Sequence, residues 1–410
     1  MPSPSTRRGF LTAAVGAAAL VAGCNERSGP SNQRGTVTPV DVPRTDEELL
    51  GEALAIDSPD VPSVIIVSES HHRAAISHVE SVRTAAEAEL SEADIDSEDN
   101  EVVRYGTPAS ILEDTTRRLQ EVRESGPTRQ AIRIASDALR EVSRLLGVLR
   151  AENGTADHET LQQELEDEQA AITILSEEFD YRIAKPIERY LPTLYAAESK
   201  LQEARNQGEQ AEKRELGEEA EEPTPPRRIG ELQIRLESLR RQRVDAEQFH
   251  STATDPNAPS RRSRIDAALT RLATDIEPIA EEYGSRPSEQ SRQSTDARLR
   301  GIRQSIGARS QQWTGRLDTH REDGRRVTAL IDATDWLLLF ESVDVAVERT
   351  VERLDSDEFP TEVVITEKRR GVEGIEKIAE ATSLQRRFAK HARGLLRSGD
   401  RRAEQSTQTG

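Results

Sequence analysis

The 410-residue chain predicts an all-α fold, an elongated antiparallel helical bundle of coiled-coil hairpins, and three observations carry that prediction. Apolar residues recur at alternating spacings of three and four over long stretches, the period of a buried stripe on a helix. Strand patterning is nearly absent: Val64-Ile65-Ile66-Val67 and Val363-Val364-Ile365 are short β-branched runs that lead straight into helical patterns, and both are read as helix starts. Pairs rich in Gly, Pro and Asn fall between the periodic segments, where turns belong.

Taken in order, residues 24–45 are rich in Ser, Gly, Pro, Asn and Thr and read as a flexible tether of about 20 residues with a span near 25 Å. Helices are expected at roughly 46–56, 62–93, 108–124, 128–151 and 157–216, with turns at Gly126-Pro127 and Asn153-Gly154. Ile132, Ala135, Leu139, Val142, Leu146 and Leu149 form one heptad seam. Pro186 and Pro192 interrupt the longest pattern and predict a kink near Tyr190, Leu194 and Tyr195. Three prolines in Pro223-Thr224-Pro225-Pro226 end that helix, since proline lacks the N–H that continues the ladder. Beyond the break, helices are expected at roughly 228–250, 261–283, 288–322, 327–355 and 361–397. Their seams are Ile229, Leu232, Leu236 and Leu239; Ile265, Leu269, Leu272, Ile276, Ile279 and Tyr283; and Phe340, Val343, Val347, Val351 and Leu354. Trp336 to Phe340 is the most apolar run after the N-terminus and reads as a buried helix, bracketed by Asp335 and Glu341. The resulting division is a helical segment over 46–222, a second over 227–398, and a disordered polar tail over 399–410.

Charge follows this division. Residues 151–222 hold 20 acids and 7 bases, whereas 227–326 hold 15 acids and 20 arginines. Opposite charge on two arms joined by a short break favours folding back, so the arms are expected to pack antiparallel across the prolines. The whole chain carries 75 acidic and 56 basic residues, a formal net charge of -19. Such a surface repels a phosphate backbone, and nucleic acid is excluded as a partner.

Where the protein resides is written in residues 6–24. Arg7 and Arg8 precede Gly9, Phe10 and Leu11, an apolar run of about 12 residues follows, and Val21-Ala22-Gly23-Cys24 closes it. The run is too short to cross a bilayer as a helix. The first part resembles a twin-arginine signal, an address for exporting folded proteins, and the second resembles a lipobox, whose cysteine receives lipid. With only six lysines, scarce aromatics and an acidic excess, the chain resembles a twin-arginine-exported lipoprotein of halophilic archaea. The resemblance spans residues 1–24 of the chain, with Thr12 where the family often carries lysine. It implies removal of residues 1–23 and lipid on Cys24; loss of Arg7 and Arg8 takes the charge from -19 to -21. It also implies a place at the cell membrane, anchored on the external face.

Chemistry-bearing motifs are few. Glu69-Ser70-His71-His72 and Glu247-Gln248-Phe249-His250 spell Glu-x-x-His, which sets a carboxylate and an imidazole on one helix face as in di-iron bundles. Seven histidines among this many glutamates produce such matches by chance, so Glu69, His72, Glu247 and His250 are weak metal candidates and no cofactor is expected. His71 and His78 share a face, but about 10 Å of rise separates them, too far for one ion. Asp94 to Asn100 begins like a calcium loop but has Asp99 where glycine is needed and Tyr105 where the bidentate glutamate belongs. Asn153-Gly154-Thr155 is a glycosylation acceptor motif in a turn. The nucleophile-elbow, phosphate-loop, dinucleotide and zinc-protease signatures do not occur, and no enzymatic activity is expected. The expected role is that of a membrane-anchored surface protein that is structural or binds an unidentified cell-surface protein. The alternative is a ligand-binding or sensory lipoprotein holding a small molecule or ion between helices.

Overall fold

A computed structural model describes residues 55–56, 65–93, 106–215, 226–284, 315–337 and 362–379, with isolated positions near the C-terminus. The residues expected to form the signal and lipobox, with Arg7, Arg8, Phe10, Leu11 and Cys24, those expected to form the tether, the loop from Asp94, the expected seam from Phe340 to Leu354 and the expected tail lie outside the described residues. The fold is all-α, its helices packed mainly antiparallel, with no strand among the described residues. Two compact units divide it, one over residues 65–262 and the other from Ser263 onward. The division differs from the expected one at the prolines, because the helix after them packs with the helices before them.

Among the described residues the first unit contains six helices: α1 (Glu69–Glu92), α2 (Pro108–Ser125), α3 (Arg129–Glu152), α4 (His158–Glu177), α5 (Ile187–Glu215) and α6 (Pro226–Ala253). The first four start on side-chain caps, in which Ser68, Thr107, Thr128 and Asp157 accept from the backbone N–H three residues on. The hydrogen bond from Thr160 outweighs other influences on Asp157 and holds its carboxyl below the usual range. Ser68 also corrects the reading of Val64 to Val67 as a helix start: Ile66 and Val67 lie outside the helix, Ile66 N donates to Thr193 Oγ1 at 3.0 Å, Ser68 is extended, and the helix begins after this cap. Val363 to Ile365, by contrast, open a helix.

α3 and α6 form the centre of this unit. All six residues of the Ile132 to Leu149 seam are buried, as are Ile229, Leu232, Leu236 and Leu239. The two helices meet at Gly147 and Gly230, where a methyl on Gly147 would lie 2.7 Å from Gly230 Cα and 2.9 Å from the Ile229 carbonyl oxygen. Only hydrogen on the Gly147 α-carbon permits that approach, and a methyl on Gly230 would press on Val148 at 3.0 Å and the Arg144 carbonyl oxygen at 3.1 Å. Around this pair sit α1, with Ala75, Val79, Val82 and Ala86 buried, and α2, with Ile111, Leu119 and Val122.

The expected helix over 157–216 is two helices. Residues 178–186 leave the helical path at Phe179 and return at Ile187, and α4 and α5 lie antiparallel, with Gln169 against Gly208 and Arg205 bonded to Ser176. The cause is tertiary. Tyr181 packs fully buried with its hydroxyl donating to Glu198 at 2.8 Å, and Ile183 forms an isolated antiparallel bridge to Thr254. Ala184 N donates to Ala253 O, Asp255 N to Arg182 O and Arg261 N to Tyr181 O, so this segment binds the end of α6 and the residues that follow it. The same contacts bring the start of α5 to the end of α6, which makes those two antiparallel across the proline break, as expected. α4 therefore runs parallel to α6.

In the second unit α7 spans Arg262–Gly284, and residues 315–322 (α8), 326–337 (α9) and Glu362–Ala379 (α10) are helical. Ile265, Leu269, Leu272 and Ile276 are buried along the α7 seam. Arg326 Nε donates to Asp266 Oδ1 at 3.0 Å and fastens α9 to α7, while Val327, Ala329, Ile331 and Ala333 are buried. Trp336 and Leu337 end the described part of α9 half-buried. Among the described residues no helix is long and apolar enough to cross a membrane.

Candidate functional site

α6 is a helix buried between others that nonetheless carries polar side chains inward. Gln233, Glu237, Arg241 and Asp245 recur at spacings of four and are buried. Each turn of the helix presents the same face, so this row forms a polar spine beside the apolar seam. A buried charge is tolerated only when it is paired, and the neighbouring helices supply the partners.

At the end of α6 near the start of α1, Asp245 is 2% exposed and accepts from His71 Nε2 at 2.7 Å and from Arg241, whose charge it balances. A carboxylate can only accept, so Nε2 of His71 carries the hydrogen. Phe249 meets the His71 ring edge-on with centroids 4.5 Å apart. Burial pushes the Arg241 guanidinium down while Asp245 opposes it. Its Nε and Nη1, His71 Nδ1 and Gln242 Oε1 are buried with no hydrogen-bond partner.

Two turns back along α6, Glu237 accepts from His78 Nε2 at 2.6 Å, from Arg240 at 2.8 Å and from Gln233 at 3.0 Å. Burial would raise its carboxyl, but the His78 hydrogen bond and charge, with the Arg240 guanidinium, outweigh burial and hold Glu237 below the usual range. His71 and His78 thus stand on one face of α1, each on a different carboxylate of α6. Arg240 also reaches Glu164 at 2.7 Å, and Arg243 reaches Glu168 at 2.5 Å and Glu247 at 2.6 Å. Burial works against the charge on both arginines, and these carboxylates more than restore it. The acidic arm does meet the arginine-rich arm, through α4 and in parallel register. Gln233 receives Arg150 of α3 at 3.2 Å, so α6 is tied to α1, α3 and α4 by separate polar contacts.

The two Glu-x-x-His segments come to the same end of the unit, where Ser70 donates to Gln248 at 3.0 Å, but their side chains diverge. His72 Nε2 donates to the Val122 carbonyl and His250 Nε2 to the Asp180 carbonyl, both at 2.9 Å. Glu247 is held by Arg243, and Glu69 is exposed. Among the described residues no group of three His, Cys, Asp or Glu side chains converges as a metal site. Asn153 caps α3 and its side chain is bonded to Glu89 of α1. The Asp245, Arg241 and Glu237 cluster was not singled out from the sequence. The signal for it is the four-residue spacing of charged residues beside an apolar seam, which leaves α6 with polar side chains on a face that packing must cover.

Fold and site together define a helical protein of two units, the first organised by a buried polar helix. Residues 70–259 match the family described as Domain of unknown function (DUF8262), and residues 262–409 match Domain of unknown function (DUF8264). The seam between the two matches falls at the boundary that packing draws between Arg262 and Ser263. No curated protein and no solved structure matches the chain.

Proposed function

We propose that this is a lipid-anchored protein of the outer cell face, exported folded by the twin-arginine route in a salt-loving cell, whose role is structural or one of binding another surface protein. The observation that carries it is the order Arg7-Arg8, apolar run, Cys24, with the cysteine, the single one in the chain, at the cleavage end. The interior of the first unit supports the role: the charged side chains of α6 are spent on α1 and α4, which suits a rigid scaffold with solvated outer faces. Fractionation tests the reading. Cys24→Ser leaves export intact and moves the protein to the soluble or released fraction, whereas Lys at both positions 7 and 8 retains it inside. A Cys24→Ser protein still on membranes after a carbonate wash overturns the anchor. Crosslinking on intact cells at native salt then identifies the partner.

One observation favours the alternative, a ligand-binding or sensory lipoprotein. Arg241, His71 and Gln242 hold buried polar atoms without partners, hydrogen-bonding capacity that a small polar ligand could use. A small-molecule screen that raises the melting temperature of the parent protein but not of Arg241→Met supports that reading; equal responses refute it.

A further inference from the structure

The acceptor motif Asn153-Gly154-Thr155 does not stand free in its turn. Asn153 is half-buried as the C-cap of α3, with φ -78° and ψ -7°, and its N–H donates to the Leu149 carbonyl at 2.9 Å. Gly154 follows at φ 66°, and Thr155 N donates back to the Arg150 carbonyl at 2.8 Å. The motif is therefore part of the helix end. Its side chains are engaged as well. Asn153 Nδ2 donates to the Glu89 carbonyl at 2.9 Å and to Glu89 Oε2 at 2.8 Å, which uses both of its hydrogens. Thr155 Oγ1 lies 3.1 Å from each carboxylate oxygen of Glu89, and Arg150 Nε stands 3.7 Å from Glu89 Oε1.

N-glycosylation needs these same atoms. The transfer forms a bond from Asn Nδ2 to the anomeric carbon of a sugar and breaks the bond from that carbon to a lipid-linked phosphate. The phosphate departs with the electron pair, and Nδ2 gives up a proton. The enzyme also reads the hydroxyl two residues on, which is why the motif requires Ser or Thr there. In the folded protein both the nucleophilic nitrogen and the recognised hydroxyl are turned toward one carboxylate of another helix.

We propose that Glu89 gates this modification site: Asn153 is an acceptor for a lipid-phosphate-linked oligosaccharide in the unfolded chain and is closed to it in the folded one. Its biological weight rests on the reading above, since a chain exported folded meets the external transferase with the gate already shut.

The test is made in vitro and does not depend on export. An oligosaccharyl transferase that accepts Asn-x-Ser/Thr, with a lipid-linked oligosaccharide, is given the folded full-length chain, its Glu89→Ala variant and a peptide spanning residues 148–160. Modification is read by mass, on the tryptic peptide from Ala151 to Arg182 for the full-length chains and on the intact synthetic peptide. The peptide is modified, the folded parent about 100-fold more slowly because three side-chain hydrogen bonds must open first, and Glu89→Ala within about tenfold of the peptide. Circular dichroism establishes that the variant stays helical; if it unfolds, the ratio of folded parent to peptide decides alone. A parent modified as fast as the peptide, a peptide left unmodified, or a helical Glu89→Ala chain as slow as the parent each overturns the gate. Fractionation of the cells tests export separately, so failure of one claim leaves the other to its own result.

Discussion

Asp245 stands between two donors, His71 and Arg241, that have no other carboxylate in contact among the described residues, and its removal leaves a cation in the interior. Asp245→Ala is expected to cost about 3–5 kcal/mol in urea unfolding, the cost of a broken buried pair. The double variant Arg241→Met with Asp245→Leu is expected to cost less than Asp245→Ala alone, because it removes both charges; a larger loss in the double variant contradicts this account. Glu237 makes a prediction in pH. Its folded carboxyl lies below the usual range, so its contribution is complete above about pH 4.3 and is lost as pH falls through the depressed value. The stability difference between the parent and Glu237→Gln should shrink as pH is lowered from about 5 to 3. A difference that stays constant excludes Glu237 as an acid-sensitive pair. At this scale sequence reading found half of each contact. The shared face of His71 and His78 was legible from their seven-residue spacing, whereas their carboxylates lie 174 and 159 residues further on, and no local pattern reaches that far.

Helices and their seams were the most legible elements, since burial on one face imposes a period on the residues themselves. The Ile132 and Ile229 seams are buried at every position named, and turns at Gly126 and Gly154 adopt the positive φ that glycine accommodates. The failure over 157–216 has a specific cause. Pro186 and Pro192 were visible, but a kink and a reversal look alike in sequence. The choice was made by the pocket for Tyr181 and the bridge from Ile183 to Thr254. The crossing of α3 and α6 was likewise hidden, because Gly147 and Gly230 look like ordinary interruptions of helices until the two backbones meet. Gly147→Ala should destabilise the first unit by about 1–3 kcal/mol, read as a lowered melting temperature, because its methyl meets backbone that cannot rotate away. The helix-propensity gain of about 1 kcal/mol from Gly to Ala works in the opposite sense, so unchanged or raised stability would show that the crossing relaxes without cost.

Across the whole molecule, charge sets the working conditions. With a charge of -19 on the chain, or -21 if the proposed signal with Arg7 and Arg8 is removed, helicity measured by circular dichroism is expected to fall as salt is diluted from molar concentrations to about 0.1 M, where the screening length grows to about 10 Å. A spectrum unchanged over that range would refute adaptation to high salt. The opposite charges of the two arms are realised as pairs of Arg240 and Arg243 with Glu164 and Glu168, so the first unit includes the helix after the proline break. Its boundary is near Arg262, held by backbone bonds from Tyr181, Arg182 and Ala184 to the end of α6 and the residues that follow it. Sequence by itself determined the all-α class, the Ile132 and Ile229 seams and the turns at Gly126 and Gly154, because these depend on neighbours within a few residues. Tertiary structure alone decided where one unit ends, which carboxylate each histidine meets, and that Glu89 occupies the glycosylation motif. Those outcomes are pairings between residues far apart in the chain, favoured because a charged or polar group that packing buries costs less when it is partnered.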